Sequence, residues 1–122
     1  MIVEGRIDET GHPLLELEIR STPSSPGQVV PLWIDTAFTG EPVLPDSVVE
    51  KLSLPVGDSI RTVYADGREA VCSTFRATIE WFGEQRAVEV ISTRNPHGLL
   101  GLQLLLNRRL ILDFRDLRFS MD

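Results

Sequence analysis

Residues 29–40 read VVPLWIDTAFTG, an apolar run that delivers a carboxylate, Asp35, into a turn of small and polar residues. Val29, Val30, Leu32, Trp33 and Ile34 have the β-branched, aliphatic and aromatic character of a strand, and the stretch from Thr36 to Gly40 ends it. A carboxylate placed directly after a buried strand is costly to desolvate, so it tends to be paired, hydrogen-bonded or functional. On these residues alone, a structural Asx-type turn and a catalytic acid both fit.

Working outward, period-2 alternation broken by Gly, Pro and Asp at short intervals predicts an antiparallel sheet or barrel. Upstream, Ile2 to Ile7 reads as a first strand, Asp8 to His12 as a turn, and Pro13 to Arg20 as a second strand with Leu15, Leu17 and Ile19 on one face. The segment from Ser21 to Gly27 is an exposed loop, and Gln28 to Ile34 is the third strand. Downstream, Val43 and Leu44 make a short strand, and Pro45 to Leu52 predicts one or two turns of helix opened by proline and Asp46.

Ser59 to Tyr64 and Arg68 to Phe82 predict a hairpin about Ala65, Asp66 and Gly67, with the Asp-Gly pair at positive φ in a tight turn. In its second strand Val71, Phe75, Ala77, Ile79 and Trp81 are expected on one face, and Arg76, Thr78 and Glu80 on the other. Gly83 and Glu84 turn the chain into Gln85 to Thr93. The leucine spacing from Leu99 to Arg109 predicts a buried helix, followed by strands at Leu110 to Phe114 and Leu117 to Met121.

With 122 residues, 42% of them hydrophobic, the chain fits one domain, residues 1–122, with one core. The net charge of −6 includes a single lysine, Lys51, and no basic stripe follows a phosphate backbone, so nucleic acid is not an expected partner. No stretch approaches the ~20 apolar residues of a membrane span, and MIVEGRIDETG lacks the pattern of a signal peptide. Cys72 is the only cysteine and reads as a structural strand residue. A cytoplasmic protein with no membrane partner is the expectation. His12 and His97 read as exposed loop residues rather than metal ligands, Asp113 as a structural strand residue, and Trp33 and Trp81 as core or interface residues.

A second feature changes the weighing of Asp35. HGLLGLQLL, residues 97–105, places two bulky apolar residues before a glycine and paired leucines after it, 64 residues beyond Asp35 with the Asp66-Gly67 hairpin between. Together, WIDTAF resembles the Asp-Thr-Gly active-site loop of retropepsin-like aspartic proteases, notably the prokaryotic branch that reads Asp-Thr-Gly-Phe, and HGLLGLQLL is similar to that family's second signature. The order of loop, hairpin, apolar-glycine strand and helix suits the family as well, and the likeness covers nearly the whole chain, to RLILDF.

The resemblance implies an all-β, single-lobe closed barrel or sandwich with one short C-terminal helix, no cofactor or metal, and an active site formed by a homodimer acting on a peptide or protein substrate. It assigns the catalytic carboxyl to Asp35 and the active-site loop and dimer grip to Thr36, Ala37 and Phe38. The flap falls on Tyr64, Ala65, Asp66, Gly67 and Arg68, and the supporting motif on Leu99, Leu100 and Gly101. Two carboxyls a few ångströms apart share one proton, so one activates a water while the other polarises the scissile carbonyl. One loop in one lobe supplies one carboxyl, and a two-fold partner must supply the second.

The chain departs from the family at three places. Leu102 and Thr39 replace both halves of the viral arginine–aspartate ion pair, Phe38 occupies a site that is small in viral members and is expected to narrow the cleft, and Ala37 stands where the motif has glycine. A catalytically silent dimer that binds a peptide or protein strand, and a monomeric β domain sharing only the fold, are the competing expectations.

Overall fold

The computed structural model describes the backbone of all 122 residues and every side chain except that of Thr62. Strands make up 55% of the chain and helices 8%. They are β1 (Val3–Ile7), β2 (Pro13–Arg20), β3 (Gly27–Ile34), β4 (Pro42–Pro45), α1 (Asp46–Lys51), β5 (Val56–Val63), β6 (Glu69–Trp81), β7 (Glu84–Thr93), β8 (Gly98–Leu100), α2 (Leu102–Leu105), β9 (Leu110–Asp113) and β10 (Arg118–Met121). No helix is long and apolar enough to cross a membrane among the described residues.

Six strands close a barrel in the order β2, β3, β8, β4, β7, β6. Closure is made by a short antiparallel pairing of β6 with β2, Ile19 opposite Ile79 and Arg20 opposite Thr78. The core is the expected inward set of β2 (Leu15, Leu17, Ile19) joined by Leu32, Leu44, Ile79, Val90, Leu100 and Leu104. Burial of these side chains, each contributing ~1.5–3 kcal/mol, is the main source of stability. β1, β10 and β9 continue the sheet beyond β2, leaving β9 as a free edge.

β6 serves two structures. Its C-terminal half lies in the barrel between β7 and β2, while its N-terminal half pairs only with β5 in a projecting hairpin. Val71, expected on the inward face with Ala77 and Ile79, is 73% exposed because it belongs to the projecting half. Thr78, expected outward, is buried at the β2 seam.

The hairpin turn lies at Ala65, Asp66 and Gly67 as expected, and differs only in that Asp66 is not at positive φ. The Gly67 amide donates to the Tyr64 carbonyl at 2.9 Å and the Tyr64 amide to the Arg68 carbonyl at 2.9 Å, enclosing a three-residue loop. Within it only Gly67 has positive φ, at 86°, so the turn is closed by one left-handed glycine. A two-residue turn occurs at Phe82 and Gly83, with φ of 51° and 82°.

The helix expected from Leu99 to Arg109 is a single turn, α2, and Leu99 and Leu100 belong to strand β8. Their backbone groups are claimed by β3 on one side and β4 on the other, so sheet pairing overrides the helical spacing of the leucines. Asp113 is structural, as expected: its Oδ1 accepts the amides of Arg115 and Asp116 at 2.9 and 3.1 Å in the β9–β10 turn.

Candidate active site

The loop carrying Asp35 is held from beneath. β8 lies between β3 and β4, parallel to the first and antiparallel to the second, so the two strands flanking the loop never pair with each other. The Asp35 amide donates to the Leu100 carbonyl at 3.0 Å, extending the β3–β8 ladder by one rung. Beyond it, Leu102 donates to Phe38 at 2.7 Å, Gln103 to Gly40 at 3.1 Å and Gly101 to Glu41 at 2.9 Å. The start of α2 is thereby fastened to the loop along its length.

Glycine at 101 is required by this contact. A Cβ there would overlap the Gly40 carbonyl oxygen and stand 2.5 Å from the Phe38 ring and 2.9 Å from the Glu41 carbonyl oxygen. Phe38, expected to narrow the cleft, is only 6% exposed and packs beneath the loop against Gly40 and Gly101, contributing to the cleft floor.

Within the loop, Asp35 Oδ1 accepts the Ala37 amide at 3.0 Å, and the Phe38 amide donates to the Asp35 carbonyl at 3.3 Å. The carboxyl is thus oriented by its own backbone, and no ion pair involves it among the described residues. Ala37 has no positive φ, so its methyl group meets no backbone strain of the kind that makes glycine obligatory. Thr36 and Ala37 are both exposed.

Asp35, Ala37, Phe38 and Leu99 line a cleft of about 520 Å³, with Tyr64, Ala65, Asp66 and Arg68 of the hairpin tip on the other side. The loop, hairpin and apolar strand expected to cooperate therefore face one space. Thr36 and Gly67 stand outside its lining, and Leu100 is fully buried below it. At the tip, Arg68 Nε contacts Asp66 Oδ2 at 2.6 Å and its guanidinium lies 5.4 Å from the centre of the Tyr64 ring. Asp66 is thus paired at the tip, and among the described residues Asp35 is the carboxyl of the cleft with no ion pair.

A third wall, from Ile91 to Thr93 with Asn95, had no motif to announce it. It arrives through the parallel pairing of β4 with β7, Val43 opposite Ile91 and Pro45 opposite Thr93. Ser92 Oγ donates to Asp46 Oδ1 at the start of α1, fixing that wall. Thr39, at one of the departure positions, accepts the Val63 amide through Oγ1 at 3.4 Å and so joins the loop to the tip end of β5.

His12 and His97 are exposed, and they sandwich Trp33, with centroid separations of 3.9 and 4.0 Å. No group of three or more His, Cys, Asp or Glu side chains is gathered to hold a metal ion among the described residues. No family model matches the chain, and no curated protein matches it.

Proposed function

We propose that the chain is a retropepsin-like aspartic endopeptidase acting as a two-fold homodimer, with Asp35 of each subunit forming the catalytic dyad. The observation that carries this reading is the opposition of Asp35 and the hairpin tip across one cleft, with β8 wedged beneath the Asp35 loop. Among the described residues the cleft of one chain offers one carboxyl without an ion pair, whereas cleavage of an amide by a carboxyl pair needs two sharing a proton. One then takes a proton from the attacking water while the other donates to the scissile carbonyl, and the roles exchange as the amine leaves.

The free edge at β9 supports association. Ile111, Leu112 and Phe114 are 53, 40 and 59% exposed, with Leu117 nearby in sequence at 48%. An apolar unpaired edge of this kind is normally covered. Thr36, exposed at the loop apex, is free to meet its counterpart across the two-fold axis. Closure of the flap over an extended peptide would exclude water from the dyad.

A second reading, a silent dimer that captures a peptide strand, is favoured by Ala37, whose methyl group lines the cleft beside Asp35. A peptide-library digest at mildly acidic pH separates the two. Wild type is expected to cleave, and Asp35→Asn to lose at least ~100-fold in rate while folding and associating normally, because Asn Oδ1 still accepts the Ala37 amide. Equal turnover by both proteins would eliminate the mechanism, and no turnover by either would favour the binding module.

A further inference from the structure

We propose that the His12–Trp33–His97 stack is a clamp that holds β8 in register on β3 and so sets the position of Asp35, with Trp33 as a positioning residue. The regulation of geometry inferred here rests on the reading of Asp35 as the reacting carboxyl. The three rings are nearly parallel, at 8° between His12 and Trp33 and 15° between Trp33 and His97. They come from three segments: the β1–β2 turn, β3, and the loop entering β8.

The ladder they bracket is short. β3 and β8 share the pairs Leu32–Gly98, Trp33–Leu99 and Ile34–Leu100, after which the Asp35 amide makes the last bond to Leu100. A strand of three residues has few rungs to define its register, and a slip of one residue would exchange its inward and outward faces. Gly98 opens that strand and is needed there, since a Cβ would stand 2.5 Å from Leu32 Cδ2 and 2.7 Å from the Val43 carbonyl oxygen. Glycine also adds backbone freedom at the point where the strand begins. His97, immediately before it, adds a restraint at the entry to the strand by stacking on Trp33, the residue opposite Leu99.

The other side of the sandwich is built to stay in place. Trp33 Nε1 donates to Asp8 Oδ2 at 3.2 Å, and Asp8 Oδ1 accepts the amides of Thr10 and His12 at 3.0 Å each. The Thr10 hydroxyl lies 2.7 Å from both Asp8 Oδ1 and His12 Nδ1. Trp33 is therefore anchored at its edge and one face by the β1–β2 turn, and presents the other face to His97. Because Trp33 and Asp35 are two residues apart on one extended chain, displacement at the stack is transmitted to the carboxyl.

Amide hydrogen exchange on the full chain tests the clamp without depending on catalysis. His97→Ala and Trp33→Leu are expected to speed exchange of the Asp35 amide about tenfold while Val88, on the far side of the barrel, is unchanged. Trp33→Phe, which keeps a stacking ring but loses the Nε1 donor, should recover most of the protection. In the cleavage assay His97→Ala should lower kcat about tenfold with KM within about twofold, because the reacting group is displaced rather than the binding surface removed. Unchanged Asp35 exchange in both variants, or equal acceleration of Asp35 and Val88, would overturn the proposal, as would a raised KM at constant kcat. A wild type that cleaves nothing would sink the peptidase reading, and the exchange data would still decide the clamp.

Discussion

The backbone of Gly101 approaches Gly40 so closely that a Cβ on Gly101 would overlap the Gly40 carbonyl oxygen. The obstacle is backbone, already hydrogen-bonded in the Asp35 loop, and it cannot swing away as a side chain end can. Gly101→Ala should therefore destabilise the fold by about 3 kcal/mol. Gly11→Ala, where the left-handed φ of 89° is the only obstacle and the surroundings are open, should cost about 1 kcal/mol. Urea unfolding of the two variants checks the order, and an equal loss would refute the steric account.

The exposed apolar edge at β9 makes a prediction about association. Ile111→Lys combined with Phe114→Lys should convert the proposed dimer to a monomer by light scattering and lower its thermal unfolding temperature, since both side chains stand in solvent in the single chain and the lost contact would no longer favour the folded subunits. The interface covered in wild type should exceed about 2,000 Å², the range of obligate dimers. A doubly substituted protein of unchanged mass would remove β9 from the interface.

Asp8 contributes an acid-sensitive part of the stability. Its carboxyl is lowered from 3.8 to about 2, chiefly by the Thr10 hydroxyl and then the His12 amide, against an opposing contribution from burial. A carboxyl depressed on folding favours the native state above its unfolded value, and that contribution disappears as pH falls through the folded one. The stability difference between wild type and Asp8→Asn should thus be constant above about pH 5 and shrink steadily between about pH 4 and pH 2. Urea midpoints measured across that interval would show parallel curves if the Asp8 hydrogen bonds contributed nothing.

On the proposed reading Ala37→Gly should raise kcat/KM, because Ala37 lines the cleft with Asp35, where a peptide substrate would have to approach the carboxyl. It should also lower stability by about 0.5–1 kcal/mol, since Ala37 has no positive φ and glycine there only adds freedom to the unfolded chain. Steady-state kinetics with a peptide cleaved by wild type decides the first point. A variant no faster than wild type would mean that the loop accommodates alanine during catalysis.

Much of this site was legible in the sequence because its signals are local. A strand ending in Asp-Thr, an Asp-Gly turn and an apolar pair before glycine each act through neighbouring residues, their grouping into one site was implied only by the family resemblance, and Asp35, the hairpin tip and Leu99 do line one cleft. What escaped the reading depends on distant pairing. Leu99 and Leu100 have helical spacing with their successors, yet two remote strands capture them. The wall from Ile91 to Thr93 carries no distinctive chemistry and is placed by β4. His12 and His97, separated by 85 positions, each carry in sequence only the signal of a loop residue, and only the fold brings Trp33 between them.

The insertion of β8 between β3 and β4 has a consequence in time. During synthesis the chain from Gly27 to Pro45 leaves the ribosome with both flanks of the Asp35 loop but without the strand that must separate them. Until Gly98–Leu100 follows, the Asp35 amide lacks its carbonyl partner and the barrel stands open along two edges. Formation of the carboxyl site is consequently a late event in the growing chain, dependent on contacts of long sequence separation. A nascent polypeptide lacking β8 carries Asp35 without the strand that holds its loop against the cleft.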